Sequence, residues 1–507
     1  MSHAGRKRRT RSLLAVLAAG ALSLGTLLGT APANAAPSYG NIDKSASGSI
    51  IVHKHENQVG SDAVQDPEGA GTAIPSAPVP GVEFTAYEIV GPDGKPVDLS
   101  VPRNWDHLED LKVSADGKTL TGGPAAPTGP WTVGAAKAHG TTDSKGEVTL
   151  DLASVGAYVV VETDGPAQVV QAALPFIVTI PFPYEDGWLY DVNVYPKNGL
   201  AGIEKSVSPQ GTALGLGSTV SFPVTTKVPG LAPGTTFDNY VVEDTLDARL
   251  GKVGVGSVTL DGVDVDPTYY RVDVTGNTVR LAFTKAGLDW LLTQGGKRLV
   301  TTFVGTVTSI GDGVIENQAT LFVNDPSESN GIVSNEVHTS WGDLAISKTD
   351  ASSSATGLAG AVFEVYAAQD PYATDCSAAR PTGAALQVEG GTRFTSNAEG
   401  RIDVAGLFVS DSVNDTADAA QRCYVLKEVE APAGFVTPTG DAALTGVAVT
   451  PGATSGVDVT IENVQQGVPE LPMTGGTGRS TLVVGGLAVL ALALGLMLVS
   501  RRRAAKH

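Results

Sequence analysis

Cysteine is almost missing from this chain: its 507 residues hold two, Cys376 and Cys423. With no third cysteine and no histidine between residues 341 and 466, that pair lacks the partners a metal centre needs. Positive charge is also short, with 34 Lys and Arg against 53 Asp and Glu and a formal net charge of −19. An excess of this sign argues against nucleic acid as a partner. Long amphipathic helices are scarce, and Ala286–Gln294 is the best short candidate. No Ser/His/Asp set and no paired-carboxylate cleft can be assembled, so neither turnover chemistry nor a cofactor is expected.

Long apolar runs occur only near the two ends. Leu13 to Leu28 follows a basic stretch containing Arg6, Lys7, Arg8, Arg9 and Arg11, and precedes Ala33-Asn34-Ala35. This is the order of a secretory signal peptide, so residues 1–36 are expected to be removed on export. The second run, Thr481 to Val499, precedes Arg501, Arg502, Arg503 and Lys506. As a helix it is just long enough for a hydrocarbon layer of about 30 Å, with the basic cluster held on the cytoplasmic side. Setting aside the ten basic residues of the two ends, these nine and Arg479, leaves 24 against all 53 acids, a net charge of −29 on the expected mature chain. In an exported protein the two cysteines are most simply a disulfide, closing a loop worth roughly 4 kcal/mol in the chain-entropy account.

About 440 mature residues suggest three domains. Short alternating runs between Gly-rich turns predict strands at Ser49–His53, Glu147–Leu152, Ala157–Glu162, Thr219–Thr225, Leu299–Val307, Ala361–Tyr366 and Val457–Ile461. The pattern predicts an all-β chain of three tandem immunoglobulin-like sandwiches, at residues 37–198, 199–340 and 341–466. Residues 467–507 would supply a linker, the membrane helix and the basic tail.

Several motifs add a chemistry to this frame. Leu471-Pro472-Met473-Thr474-Gly475 precedes the second apolar run. The order pentapeptide, helix, basic tail resembles the cell-wall sorting signal of Gram-positive surface proteins. That resemblance implies a membrane transpeptidase, a sortase, which cuts between Thr474 and Gly475 and holds the Thr acyl group on its cysteine until an amine takes it. Tyr195-Pro196-Lys197-Asn198 closes the first domain and looks like the motif of sortase-assembled pilins, in which the lysine is that amine. Leu344 to Asp350 and Gly360 to Tyr366 resemble collagen-adhesin-type modules, and Tyr424 to Phe435 resembles the pilin E-box, departing from it at Val429 and Phe435. The chain is thus similar to the backbone subunits of sortase-assembled fimbriae.

The resemblance implies a secreted, cell-wall-anchored subunit at the cell surface that takes part in adhesion. Its partners would be a pilin-specific sortase, identical subunits joined head to tail, peptidoglycan reached through a housekeeping sortase, and a tip adhesin. The membrane would hold it only transiently. It also implies amides formed inside the domains between a lysine, an asparagine and a carboxyl group. In the third domain these are Lys348, Asn463 and Glu428. In the second they are Lys205, Asp244 and Asn335, with Asn317 as the rival to Asn335. A fainter set in the first domain is Lys54, Glu162 and Asn193. A different reading of the same signals is a wall-anchored adhesin or minor pilin whose main task is ligand binding.

Two patterns point to metal chemistry that the context does not support. Asp350-Ala351-Ser352-Ser353-Ser354 has an Asp-x-Ser-x-Ser spacing, but in a β-sandwich loop rather than the parallel α/β sheet such a site needs. His53, Lys54 and His55 alternate on a strand, which puts both histidines on one face, with no third ligand in view.

Overall fold

The computed structural model describes residues 41–57, 66–69, 74–122, 130–185, 187–414, 416–454 and 456–466. The expected signal peptide, sorting motif and C-terminal helix lie outside these residues. The chain is mostly β, arranged as facing pairs of sheets. Each predicted strand is present within one or two residues at its ends, from Gly48–His53 to Val459–Asn463. The short helix forms as Lys285–Leu291 and continues as the 3-10 turn Leu292–Gln294. Thr284 caps it, its hydroxyl accepting from Gly287 N at 3.2 Å.

In the first region Gly48–His53 lies between Asp191–Val194, parallel to it, and Glu147–Leu152, antiparallel. A four-stranded sheet in the order Phe176–Ile180, Gly156–Asp164, Glu83–Val90 and Thr132–Thr141 faces them. Alternation along Gly156–Asp164 sends Tyr158 and Val160 into the space between the sheets, with Ile50, Val52, Phe84 and Leu150. Ala157, Val159 and Val161 go to the other face, where Leu108, Leu111, Leu120 and Trp131 cover them. Burial on both faces explains why this strand reads as an unbroken apolar run. The helix Pro102–Glu109, with Pro102 in its first turn, supplies part of the cover and was not foreseen.

The second region stacks a sheet containing Gly202–Lys205, Thr219–Lys227, Arg298–Val307 and Leu250–Leu260 on one containing Thr278–Phe283, Tyr240–Thr245 and Ala319–Val323. The third faces Val362–Ala368, Arg422–Glu430 and Leu444–Val449 against a sheet built around Val337–Asp350. This last strand is 14 residues long and joins the two regions. Its first residues pair with Val314–Asn317. The rest pair with Arg401–Asp411 and, in parallel, with Val459–Asn463. The division expected between 340 and 341 therefore falls inside one continuous strand, not at a linker. One core runs through both regions, including Phe222, Phe303 and Ile315 on one side and Leu344, Phe408 and Leu426 on the other. Trp341 sits at the crossing, with no exposed surface and its ring edge-on to Phe408 at 5.4 Å.

The first region meets the second around the end of the expected acceptor motif. Lys227 Nζ is 2.5 Å from Glu56 Oε1, and Asn57 Nδ2 donates to Gly230 O at 3.1 Å. At Gly199 a Cβ would come within 3.1 Å of Leu231 Cδ2 and 3.2 Å of Gly230 O, so glycine lets the strand turn close against the second region.

Because Trp341 belongs to a core shared by two regions, Trp341→Ala is expected to cost about 3–5 kcal/mol. Denaturant unfolding should show both regions weakened together. A variant in which only residues beyond 341 become protease-sensitive would refute a shared core.

Candidate functional site

Three lysines lose their contact with water: Lys54 and Lys348 are 0 % exposed and Lys205 is 4 % exposed. Lysine is rarely buried without a partner, because removing an ammonium from water costs several kcal/mol. Each has a buried carboxyl group nearby and a buried asparagine on that carboxyl.

In the third region Lys348 projects inward from Val337–Asp350, and Asn463 from the parallel neighbour Val459–Asn463. Asn463 Nδ2 donates to Glu428 Oε1 at 2.7 Å, while Lys348 Nζ donates to Ile461 O at 3.0 Å. Burial pushes the Lys348 amine down to about 8, against the opposing pull of Glu428. Burial also raises the Glu428 carboxyl above its ordinary range. Both shifts favour a neutral amine beside a neutral acid.

In the second region Lys205 Nζ bonds Asp244 Oδ2, both side chains fully enclosed. Burial lowers the amine and raises the acid, with the partner's charge opposing each shift. The asparagine on this pair is Asn317, whose Nδ2 lies 3.3 Å from Asp244 Oδ2. Asn335, preferred from the sequence, does not join it. Its side chain bonds the Lys205 backbone, accepting from N at 2.9 Å and donating to O at 2.9 Å. The correction follows from strand parity: Asn317 alternates with the buried Ile315, so it faces the core, whereas Asn335 is an exposed residue ahead of the long strand.

In the first region Lys54 Nζ is 2.9 Å from Glu162 Oε2. Burial holds that amine at about 8, with Glu162 pulling the other way. The asparagine here is Asn198, whose Nδ2 donates to Glu162 Oε1 at 2.9 Å. Asn193, the residue read from the sequence, is on the opposite face, accepting from His53 and donating to Pro67 O. Parity decides again, since Val192 points inward and Asn193 out, while five residues later Asn198 points inward and is fully buried. Asn198 Oδ1, Asn317 Oδ1 and Asp244 Oδ1 are buried without a hydrogen-bond partner. A half-turn of either amide would set its carbonyl oxygen against the proton of a neutral acid.

Lys197 begins the strand Lys197–Leu200 and is paired in parallel with His55, next to the Asn198–Glu56 pair. Tyr195 lies beside it, stacked on His53 with ring centres 5.0 Å apart, its hydroxyl donating to Asp66 O at 2.9 Å. Lys197 is half-buried at the rim of the first region.

Over 97 % of its length and 97 % of the relative's, the chain is 39 % identical to a fimbrial subunit type 2 of Actinomyces naeslundii. The chain belongs to the Gram-positive fimbrial subunits. It is 30 % identical, over 98 % of its own length, to a fimbrial subunit type 1 of Actinomyces viscosus. The family model of the Gram-positive pilin subunit D1, N-terminal domain, matches residues 45–199, and that of the LPXTG cell wall anchor motif matches 463–506. The full-length major pilin SpaD of Corynebacterium diphtheriae shares the fold, with a TM-score of 0.64 and 25 % identity over 84 % of this chain and 99 % of that one. The fimbrial subunit is thus a structural protein, not an enzyme, anchored to the cell wall at the cell surface through its LPXTG motif. Leu471, Pro472, Thr474 and Gly475 fall within the matched anchor but outside the described residues.

The fimbrial subunit's two cysteines are joined, with Cα atoms 5.2 Å apart and a sequence separation of 47. The bond ties the short turn Cys376–Ala378 to Arg422–Glu430 and sits in a small core with Ala368 and Val425. The Asp-x-Ser-x-Ser stretch is a local turn, in which Asp350 Oδ1 accepts from Ser352 N and Oγ, each at 2.8 Å.

Replacing both cysteines by alanine is expected to cost the third region about 2–4 kcal/mol. Thermal unfolding monitored at Trp341 would read the loss. Labelling of both thiols in folded, secreted wild-type protein would contradict the pairing.

Proposed function

We propose that this fimbrial subunit is the repeating unit of a covalent shaft, made of three immunoglobulin-like units and polymerised by a sortase. Thr474 of one subunit, released from Gly475 as the sortase thioester, is transferred to Lys197 of the next. The observation that carries this reading is that one chain holds both halves of the transfer. The acceptor motif closes the first region and the LPXTG motif follows the third, so repetition gives an open head-to-tail filament. Pro196 keeps the segment ahead of Lys197 extended. The same chain end, transferred to peptidoglycan by a housekeeping sortase, ends growth at the wall.

The three buried sets are the second part of the proposal. In each, the neutral lysine amine attacks the asparagine carboxamide carbon, the acid polarises the carbonyl and shuttles protons, and ammonia leaves. The pairs are Lys205 with Asn317 near Asp244, Lys348 with Asn463 near Glu428, and Lys54 with Asn198 near Glu162. The support is shared geometry: the carboxyl group touches the asparagine amide in all three, and burial pushes every amine down.

Intact mass of the reduced, mature protein is expected to fall short of the sequence mass by three ammonia molecules. Glu162→Ala, Asp244→Ala and Glu428→Ala should each restore one. Peptide mapping that joins Lys205 to Asn335, or a mass equal to the sequence mass, would overturn the assignment. Without a bond the buried amine still titrates. Asn463→Ala should therefore gain stability as pH rises from about 8 towards 10.5, where the unfolded chain binds the extra proton. The wild type, its amine consumed, should lack that rise. For the polymer, Lys197→Ala in the native host is expected to leave exported, wall-anchored monomers. High-mass ladders persisting in those cells would rule out this acceptor.

A further inference from the structure

Asp191–Val194 and Lys197–Leu200 form one parallel ladder with the strands that carry His53 and His55, and its two faces do different things. Ser49 to Val52 pair with Asp191 to Val194, and the same register continues as His55 with Lys197 and Glu56 with Asn198. On the inner face lie Lys54, Glu56 and Asn198, all buried. The outer face holds His53, His55, Tyr195 and Lys197, because register partners in a sheet project to the same side. The stacking of His53 on Tyr195, with planes 13° apart, confirms that alternation one pair earlier.

His55 is held in a defined state. Its Nδ1 is 2.6 Å from the carbonyl oxygen of Ser76. A carbonyl can only accept, so Nδ1 carries a proton, and in the neutral ring it is Nε2 that holds the lone pair. Residues 76–78 flank His55 on the side away from the acceptor strand: Glu56 N donates to Ala77 O at 2.9 Å, and His55 bridges Pro78. On the other side His55 N donates to Pro196 O at 3.3 Å. The two ring nitrogens of an imidazole point well apart, so with Nδ1 on Ser76 O the Nε2 atom faces away from Ser76, and Lys197 is the register partner across the ladder, its backbone about 4.8 Å away.

We propose that His55 accepts the proton of Lys197 as this amine attacks the sortase-bound acyl group. The inference rests on Lys197 being the acceptor, as proposed above. An amine must lose a proton before it can acylate, because an ammonium has no lone pair with which to attack. One proton passes from Lys197 Nζ to His55 Nε2. The neutral amine adds to the Thr474 carbonyl carbon of the thioester, the C–S bond breaks, and the second amine proton goes to the departing cysteine thiolate. His55 then releases its proton to water. Among the described residues, the other titratable groups at this face include His53, Tyr195, Asp66, whose backbone carbonyl accepts from the Tyr195 hydroxyl, and Glu147, whose carboxylate is 3.3 Å from His53 Nδ1. Lys54, Glu56 and Glu162 occupy the inner face, with Glu56 paired to Lys227.

The test uses the full mature chain with its sorting motif and a purified pilin sortase, with the initial rate of dimer formation followed from pH 6 to pH 10. His55→Gln is expected to slow dimer formation roughly a hundredfold at pH 7. The deficit should close towards pH 10, where hydroxide takes the lysine proton. Release of the same sorting motif by hydroxylamine, which needs no Lys197, should be unchanged. His55→Ala should recover rate with added imidazole. A wild-type rate for His55→Gln at pH 7, or a deficit equal at every pH and unmoved by imidazole, would overturn the proposal. Dimers formed by Lys197→Ala would instead overturn the acceptor assignment beneath it.

Discussion

Everything characteristic of this fimbrial subunit depends on one costly act, the removal of a lysine amine from water. An isolated ammonium in a β-sandwich core would be intolerable. A carboxyl group beside it relieves the cost in either of two ways, by pairing as ions or by sharing the proton so that both groups are neutral. Burial of both partners favours the neutral form, as the lowered amines of Lys54, Lys205 and Lys348 and the raised acids Asp244 and Glu428 indicate. Aromatic rings enclose one of these amines: Lys205 Nζ lies 5.4 Å from the Phe222 ring centre and 5.8 Å from that of Phe303. A site of this kind stores reactivity in its packing, and mutating a neighbouring apolar residue disturbs chemistry as well as stability.

Much of this was legible in the sequence, and the misses share a cause. The lysines and acids were found because each lies within a stretch whose pattern is distinctive, such as Leu344 to Asp350 or Tyr424 to Phe435. The asparagines of the first two regions were not, because an asparagine has no motif of its own. What selects it is the side of the strand it occupies, and a step of one residue reverses that side. Ile315 buried and Glu316 exposed assign Asn317 to the core; Val192 buried assigns Asn193 to the surface. Counting parity from the nearest buried aliphatic would have favoured Asn317 and Asn198. The strand that fuses the second and third regions was hidden for another reason. Nothing in Ser340-Trp341-Gly342 distinguishes a strand that runs on from a boundary between domains, yet Trp341 is the pivot of a shared core.

The first region makes two uses of a single ladder. Its inner residues bring Lys54, Glu162 and Asn198 together, while its outer residues present Tyr195 and Lys197. Asn198 is therefore both the last residue of the proposed acceptor motif and a member of a buried set. Any bond made there fixes the backbone immediately after Lys197 while leaving the side chain of Lys197 on the other face.

The position of Lys197 in the chain also decides what a pulled filament can do. In the crosslinked form proposed, tension enters through the Lys197 side chain and leaves through Thr474, so residues before Lys197 bear none of it. From Lys197 the load crosses from Lys205 to Asn317, runs along the chain into Val337–Asp350, and crosses again from Lys348 to Asn463. The covalent path skips 206–316 and 349–462. It follows only about fifty residues per subunit, whose taut length is of order 170 Å at about 3.4 Å each. Such a fibre behaves as a tether of nearly fixed length: once slack is drawn out, further pull meets chemical bonds, and the first region rides alongside as unloaded cargo.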